Sequence, residues 1–217
     1  MVRRTRVSTT TLSAERLDKS FAGPPLFSGL SLRVERGLVA VAGRNGSGKT
    51  TLLKILAGLA RPSSGSVRIE RDGRLLTHEE RRLAVGWAGP DLALYGELTP
   101  LENLRFFRAV AGRDADPASL RRRLASSGLA EEAWGRPVEE LSSGMAQRLR
   151  IAFALLFDPP VLLLDEPMAG LDRDGRETVQ SAIAEARERG AVVVASNDER
   201  DFVEPEQRID LGPDRES

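Results

Sequence analysis

Between Gly43 and Thr50 the chain reads GRNGSGKT, a spacing that fits G-x-x-x-x-G-K-[ST]. Phosphate chemistry asks for this pattern. Backbone N–H groups must converge on phosphate oxygens, and Gly43, Gly46 and Gly48 permit the dihedrals that convergence needs. A helix starting at Lys49 adds the partial positive charge of its N-terminus. Lys49 supplies a compact charge for the β- and γ-phosphates of a nucleotide, and Thr50 a hydroxyl for Mg²⁺. A second stretch, VLLLDEP, ends an apolar run at two carboxylates. Asp165 is suited to hold the Mg²⁺ shell, and Glu166 to act as base for an attacking water. A third stretch, VVVASNDERD, stops an apolar strand at Ser196, Asn197 and Asp198. It raises the question of what chemistry would want an amide at Asn197.

The elements that must carry these residues follow from periodicity. TLSAERLDKSF and SGLSLRVERG alternate like half-buried strands, and LVAVAG, Leu38 to Gly43, is continuous enough to be buried on both faces. A helix is predicted from Lys49 to Leu59. SVRIERDGRLLT predicts a hairpin turning at Asp72-Gly73, and LAVGWAG a further strand starting near Leu83. From Thr99 to Leu156 the pattern is almost wholly helical: Thr99 caps, Pro100 takes the first helical position and Glu102 closes a capping box, while Asp116-Pro117 starts another helix. VLLLDEP and VVVAS are strands separated by a helix around Glu177 to Arg189, with Val179, Ile183 and Ala186 on one face. Strand–helix–strand order with apolar strands implies right-handed crossovers in a parallel sheet.

Composition narrows the classes. The 217 residues, 41% of them hydrophobic, suffice for one domain with a real core. The 32 basic residues are balanced by 32 acidic ones, so no whole-chain field draws the protein to nucleic acid, and Arg121-Arg122-Arg123 reads as a solvated helix face. With no cysteine there is neither a disulfide framework nor a thiolate metal site. No apolar run approaches the ~20 residues that span a bilayer, and MVRRTRVSTTTL lacks the apolar core of a signal peptide. The positive charge is nearly all arginine, the lysines being Lys19, Lys49 and Lys54 alone.

With ELSSGMAQRLRIAFALL between the two phosphate motifs, the chain resembles the ATP-binding cassette (ABC) ATPases over nearly all of Leu12 to Gly212. Phe21 is similar to the aromatic of an A-loop. Gly43, Arg44, Asn45, Gly46, Ser47, Gly48, Lys49, Thr50 and Thr51 match Walker A, and Asp165-Glu166 match Walker B. Leu141-Ser142-Ser143-Gly144-Met145 resembles the LSGGQ signature, and Ala169-Gly170-Leu171-Asp172 a D-loop. The resemblance implies an α/β P-loop NTPase of ABC type, with a mixed sheet core, an antiparallel β subdomain and a helical subdomain insertion. It implies one nucleotide-binding domain over 10–213, with the core at roughly 10–89 and 157–213, the helical subdomain at roughly 90–156, and flexible termini at 1–9 and 214–217. Ser142, Ser143 and Gly144 would bind a γ-phosphate across a dimer interface, with Asp172 nearby. The implied cofactors are ATP and Mg²⁺. The implied partners are a second nucleotide-binding domain, from a homodimer or a paralogous chain, and transmembrane transporter subunits. No nucleic acid is expected, and the location is the cytoplasmic face of a membrane, peripheral through those subunits.

Three positions depart from the family pattern. A switch histidine is usual at Asn197, yet the sole histidine is His78, far upstream. An asparagine amide can donate to a phosphate oxygen but takes up no proton near neutral pH. Asn197 therefore reads either as a retuned switch or as a polar cap after a strand. Pro90 stands where a Mg²⁺-contacting glutamine is usual and offers neither donor nor side-chain oxygen. Asp91 beside it is a candidate substitute for that contact. Met145 replaces the signature's glutamine. The leading function is the ATP-hydrolysing subunit of an ABC transporter, with ELTPLENLRFF similar to the haem-exporter type of cytochrome c maturation ATPases. The alternatives are a degenerate or regulatory nucleotide-binding subunit with little turnover of its own, which Asn197 and Pro90 favour, and a soluble non-transport ABC ATPase.

Overall fold

The computed structural model describes residues 8–212. Of the termini expected to be flexible, 1–7 and 214–217 lie outside the described residues, as does residue 213, the last of the expected domain. Ser8 and Thr9 lie within them, and both donate to the carboxylate of Asp72 in the hairpin turn.

In chain order, strands β1 (Thr10–Lys19), β2 (Phe27–Val34) and β3 (Gly37–Gly43) precede helix α1 (Lys49–Ala57). The pair β4 (Ser64–Arg71) and β5 (Arg74–Leu75) leads to α2 (His78–Ala84) and β6 (Val85–Ala88). Three helices follow, α3 (Pro100–Val110), α4 (Pro117–Ser126) and α5 (Ser143–Ala154). The chain closes with β7 (Val161–Asp165), α6 (Arg173–Arg187), β8 (Ala191–Ser196) and β9 (Gln207–Leu211). The parallel and antiparallel strands are divided between two sheets. One is four-stranded and antiparallel, in the order β2-β1-β4-β5; the other is five-stranded and parallel, in the order β6-β7-β8-β3-β9.

The continuous apolar runs of β3, β7 and β8 are explained by burial on both faces. Val39, Val41, Leu163 and Val193 face the antiparallel sheet and pack with Leu12, Leu17 and Ile69 and with Leu52, Leu53 and Leu56 of α1. The alternate residues Leu38, Leu162, Leu164, Val192 and Val194 pack on the other face with Val179 and Ile183 of α6 and Ile151 of α5. A third core, Leu104, Leu120, Leu124, Leu129, Leu149 and Leu156, holds α3, α4 and α5 together.

Several sequence expectations are corrected. Leu83 lies in α2, and the strand expected there starts at Val85. The helix forms because Thr77 caps it: Glu80 N–H donates to Thr77 Oγ1 at 3.3 Å, and the Glu80 carboxylate accepts Thr77 N–H at 2.8 Å. α1 stops at Ala57, where Gly58 turns left-handed at φ 78°. The 99–156 stretch is broken by left-handed Gly112 and Gly128 and by two short 3₁₀ turns, Glu131–Ala133 and Val138–Glu140. α6 begins at Arg173, ahead of the expected Glu177. β9 had no counterpart in the periodicity.

Candidate functional site

The glycine-rich loop joins the C-terminal end of β3 to α1, next to the ends of β7 and β8. Gly46 and Gly48 have φ of 83° and 99°, a region that side chains avoid. At Gly43 the constraint is space: a Cβ there would lie 2.3 Å from Leu211 O and 2.4 Å from Ser47 Oγ. Gly48 is the N-cap of α1 and makes no side-chain cap bond, so the first N–H groups of the helix are left for an anion. Lys49, only 6% exposed, donates to Gly43 O at 2.9 Å and Arg44 O at 3.3 Å, and lies 3.3 Å from Glu166 Oε1. Arg44, Asn45 and Gly46 are exposed, while Ser47, Thr50 and Thr51 are half-buried.

Thr50 Oγ1 donates to Asp165 Oδ2 at 2.5 Å. Asp165 is 2% exposed, and its second oxygen, Oδ1, is buried without a partner. Burial pushes the Asp165 carboxyl above its ordinary value, opposed by the Thr50 bond and the Lys49 charge. The Thr50 hydroxyl and the Asp165 carboxylate, one of whose oxygens is buried without a partner, form a hard-oxygen pair that fits Mg²⁺.

Glu166 is held in a left-handed backbone conformation, φ 48°, with its N–H donating to Ala195 O at 2.8 Å. The turn beyond it is held by Gln147, whose Nε2 donates to Pro167 O at 3.1 Å. Asn197 extends past the end of β8, and its Nδ2 donates to Asn45 Oδ1 at 3.0 Å, so the expected switch position touches the glycine-rich loop directly. The neighbouring Ser196 Oγ lies 3.2 Å from Glu166 Oε2 and 2.6 Å from Asp201 Oδ2. Sequence reading gave no role to Ser196, Asp201 or Gln147; the one available signal was the polar cluster closing β8.

The structure thus gathers Lys49, Thr50, Asp165, Glu166, Asn45 and Asn197 by direct contacts. Other expected residues sit apart. Ser142, the N-cap of α5, accepts Met145 N–H at 3.3 Å, and an added Cβ at Gly144 would lie 2.9 Å from Gly170 O, so the 142–144 turn packs on the 169–172 loop. Ser142 and Ser143 are exposed. Asp172 caps α6, accepting Gly175 N–H at 2.8 Å, and pairs with Arg148 of α5 at 2.6 Å. Asp91, next to Pro90, is held by Lys54 of α1 at 2.6 Å. Phe21 is 65% exposed, with Lys19 Nζ 4.7 Å from its ring centroid. The loop that carries Phe21 returns against the glycine-rich loop, where Leu26 packs on Gly48.

Comparison with known proteins agrees with this geometry. Residues 27–169 match the family described as ABC transporter. The cytochrome c biogenesis ATP-binding export protein CcmA of Alkalilimnicola ehrlichii is 40% identical over 87% of this chain and 80% of its own. A probable anion import ATP-binding protein of Haloferax volcanii is 37% identical over 89% of this chain and 74% of its own. Among solved structures, the dimeric form of a bacterial ABC transporter cassette superposes with a TM-score of 0.77 at 26% identity, covering 92% of this chain and 94% of that one.

Proposed function

The chain belongs to the ABC transporter family, as an ATP-binding subunit that hydrolyses ATP and works with membrane partners and a second nucleotide-binding domain; on that footing we propose how its residues divide the work. The reading rests on one observation above the others. Two neighbouring residues of the glycine-rich loop meet two neighbouring residues at the end of β7, Thr50 bonding Asp165 and Lys49 lying against Glu166, with Asp165 Oδ1 orphaned beside them.

The N–H groups of Gly46 to Thr51 and the Lys49 ammonium bind the phosphates of ATP. Thr50 and Asp165 hold Mg²⁺, which screens the phosphate charge as a Lewis acid. Glu166 accepts the proton of the attacking water, and Asn197 orients toward the phosphates through its amide. Phe21 offers an exposed ring face for the base. The exposed Ser142–Gly144 turn serves the nucleotide of a second cassette, and Asp172 shapes that face by capping α6 and binding Arg148. Among the described residues no helix is long and apolar enough to cross a membrane, and the subunit works at the cytoplasmic face through its membrane partners. Relatives such as the Alkalilimnicola ehrlichii and Vibrio cholerae CcmA proteins, at 40% and 34% identity, support an export role of the cytochrome c biogenesis type.

The test is phosphate release from Mg-ATP by the purified chain and by Glu166→Gln, with nucleotide binding measured on both. Turnover should fall by at least about a hundredfold in the variant while binding persists, the size of a lost general base. Equal turnover in the two proteins would remove Glu166 from the reaction. Binding without turnover in either would move the chain to the regulatory alternative, which Asn197 and Pro90 favour.

A further inference from the structure

The Glu166 carboxylate is held at both oxygens. Oε1 lies 3.3 Å from Lys49 Nζ, and Oε2 lies 3.2 Å from Ser196 Oγ. The first hold is temporary, because Lys49 is the buried cation that serves the phosphates when nucleotide is bound. The second hold is built into the fold. Ser196 is wholly buried at the end of β8, and its Oγ accepts Asp198 N–H at 3.0 Å. Its single hydroxyl proton can be given either to Glu166 Oε2 or to Asp201 Oδ2, which lies 2.6 Å away. Asp201, 5% exposed, is fixed in turn by Arg176 of α6, 3.2 Å from Oδ1. A buried serine between two carboxylates, with its oxygen pinned by a backbone amide, has little freedom to move.

We infer that Ser196 is a positioning residue for Glu166, donating its hydroxyl to the carboxylate and keeping it aimed once Lys49 turns to the nucleotide, with Asp201 as the alternative acceptor of the same proton. The neighbouring Asn197 is engaged with Asn45 and makes no bond to Glu166 among those the structure contains, so Ser196 supplies the link between β8 and the base. The hold acts together with the backbone bond from Glu166 N–H to Ala195 O. Two successive residues of β8 thereby fix the main chain and the side chain of the base. The inference rests on the reading of Glu166 as that base.

The test uses the full chain and the variants Ser196→Ala and Asp201→Asn, with Glu166→Gln in parallel. Ser196→Ala should lower kcat by about tenfold or more while KM and ADP affinity stay within about threefold, the size of one lost hydrogen bond to a charged group. Asp201→Asn keeps an oxygen acceptor for the serine hydroxyl and should hold kcat within about threefold of the parent. A crystal structure of ADP-bound Ser196→Ala, in which Lys49 is engaged by phosphate, should show the Glu166 carboxylate displaced from its place beside β8. That second readout decides the question even if the isolated chain turns over slowly. An unmoved Glu166 carboxylate with undiminished kcat in Ser196→Ala would overturn the inference, as would an Asp201→Asn variant as impaired as Ser196→Ala. Failure of the underlying reading looks different, because Glu166→Gln would then hydrolyse ATP like the parent.

Discussion

Asn197 Nδ2 donates to Asn45 Oδ1 across 3.0 Å, joining the end of β8 to the phosphate loop. To reach a nucleotide phosphate, Asn197 exchanges this bond for another of similar kind, so the net gain is small. Asn197→Ala should therefore lower kcat by about fivefold, corresponding to about 1 kcal/mol, with nucleotide affinity little changed. Asn197→His should add a group that titrates near pH ~6.5, whose charged form binds phosphate better. The ratio of kcat for Asn197→His to that of the parent should then rise as pH falls through that value. A flat ratio between about pH 5.5 and pH 7.5 would show that residue 197 does not reach the phosphates.

Gly43 is closed in on two sides, by Leu211 O of β9 and Ser47 Oγ of the loop. Adding one methyl forces either β9 or the loop to shift. Gly43→Ala should cost about 1–3 kcal/mol in urea unfolding, as overpacking does elsewhere. It should also weaken nucleotide binding, because the displaced loop no longer converges its N–H groups. Gly73→Ala is the control for backbone effects alone: Gly73 has φ 80° but open space around it.

Asn103 is wholly buried and staples the loop ahead of α3. Its Nδ2 faces Tyr95 O at 3.0 Å, Thr99 O at 3.1 Å and Leu98 O at 3.3 Å, and its Oδ1 accepts Tyr95 N–H at 2.9 Å. Asn103→Leu is near in size but takes the acceptor from Tyr95 N–H, while Tyr95 O, Leu98 O and Thr99 O keep the N–H groups of Leu98, Val138 and residue 103, so it should destabilise the chain by about 1–2 kcal/mol. Hydrogen exchange should show the loss concentrated at 95–99, while the β3, β7 and β8 amides keep their protection.

How far the sequence alone reaches depends on the range of the interaction. The glycine-rich loop, Asp165 and Glu166 were legible because a local spacing carries their chemistry, and β3, β7 and β8 because burial on both faces leaves unbroken apolar runs. α2 was readable in principle from Thr77 and Glu80, but the apolar LAVGWAG outweighed that capping pair. β9 was not, since QRIDL is a short edge strand with only Ile209 and Leu211 to mark it, and its place beside β3 is set by pairing distant in sequence. The same holds for Asp201 beneath Ser196, for Lys54 on Asp91 and for Arg148 on Asp172. Each pair joins elements whose approach only the folded chain defines.

Asp201 provides a test of charge burial beside the site. Burial pushes its carboxyl above the ordinary value, and the charges of Asp198 and Glu166 act in the same direction, while the Ser196 hydrogen bond and Arg176 oppose them. Between the unfolded value and the raised folded one, the folded chain holds more protons than the unfolded chain. Stability attributable to this group therefore falls as pH rises through that window and stays lower above it. An asparagine carries no such charge, so Asp201→Asn should unfold at higher urea than the parent at about pH 7, with the advantage shrinking as pH falls and gone only below the unfolded value, at about pH 3, where the aspartate is neutral in both states. A variant less stable than the parent at neutral pH, with the deficit closing in acid, would mean that Arg176 and Ser196 more than offset the burial of the charge. Asp201 would then hold the end of β8 by charge pairing rather than as an acceptor for Ser196.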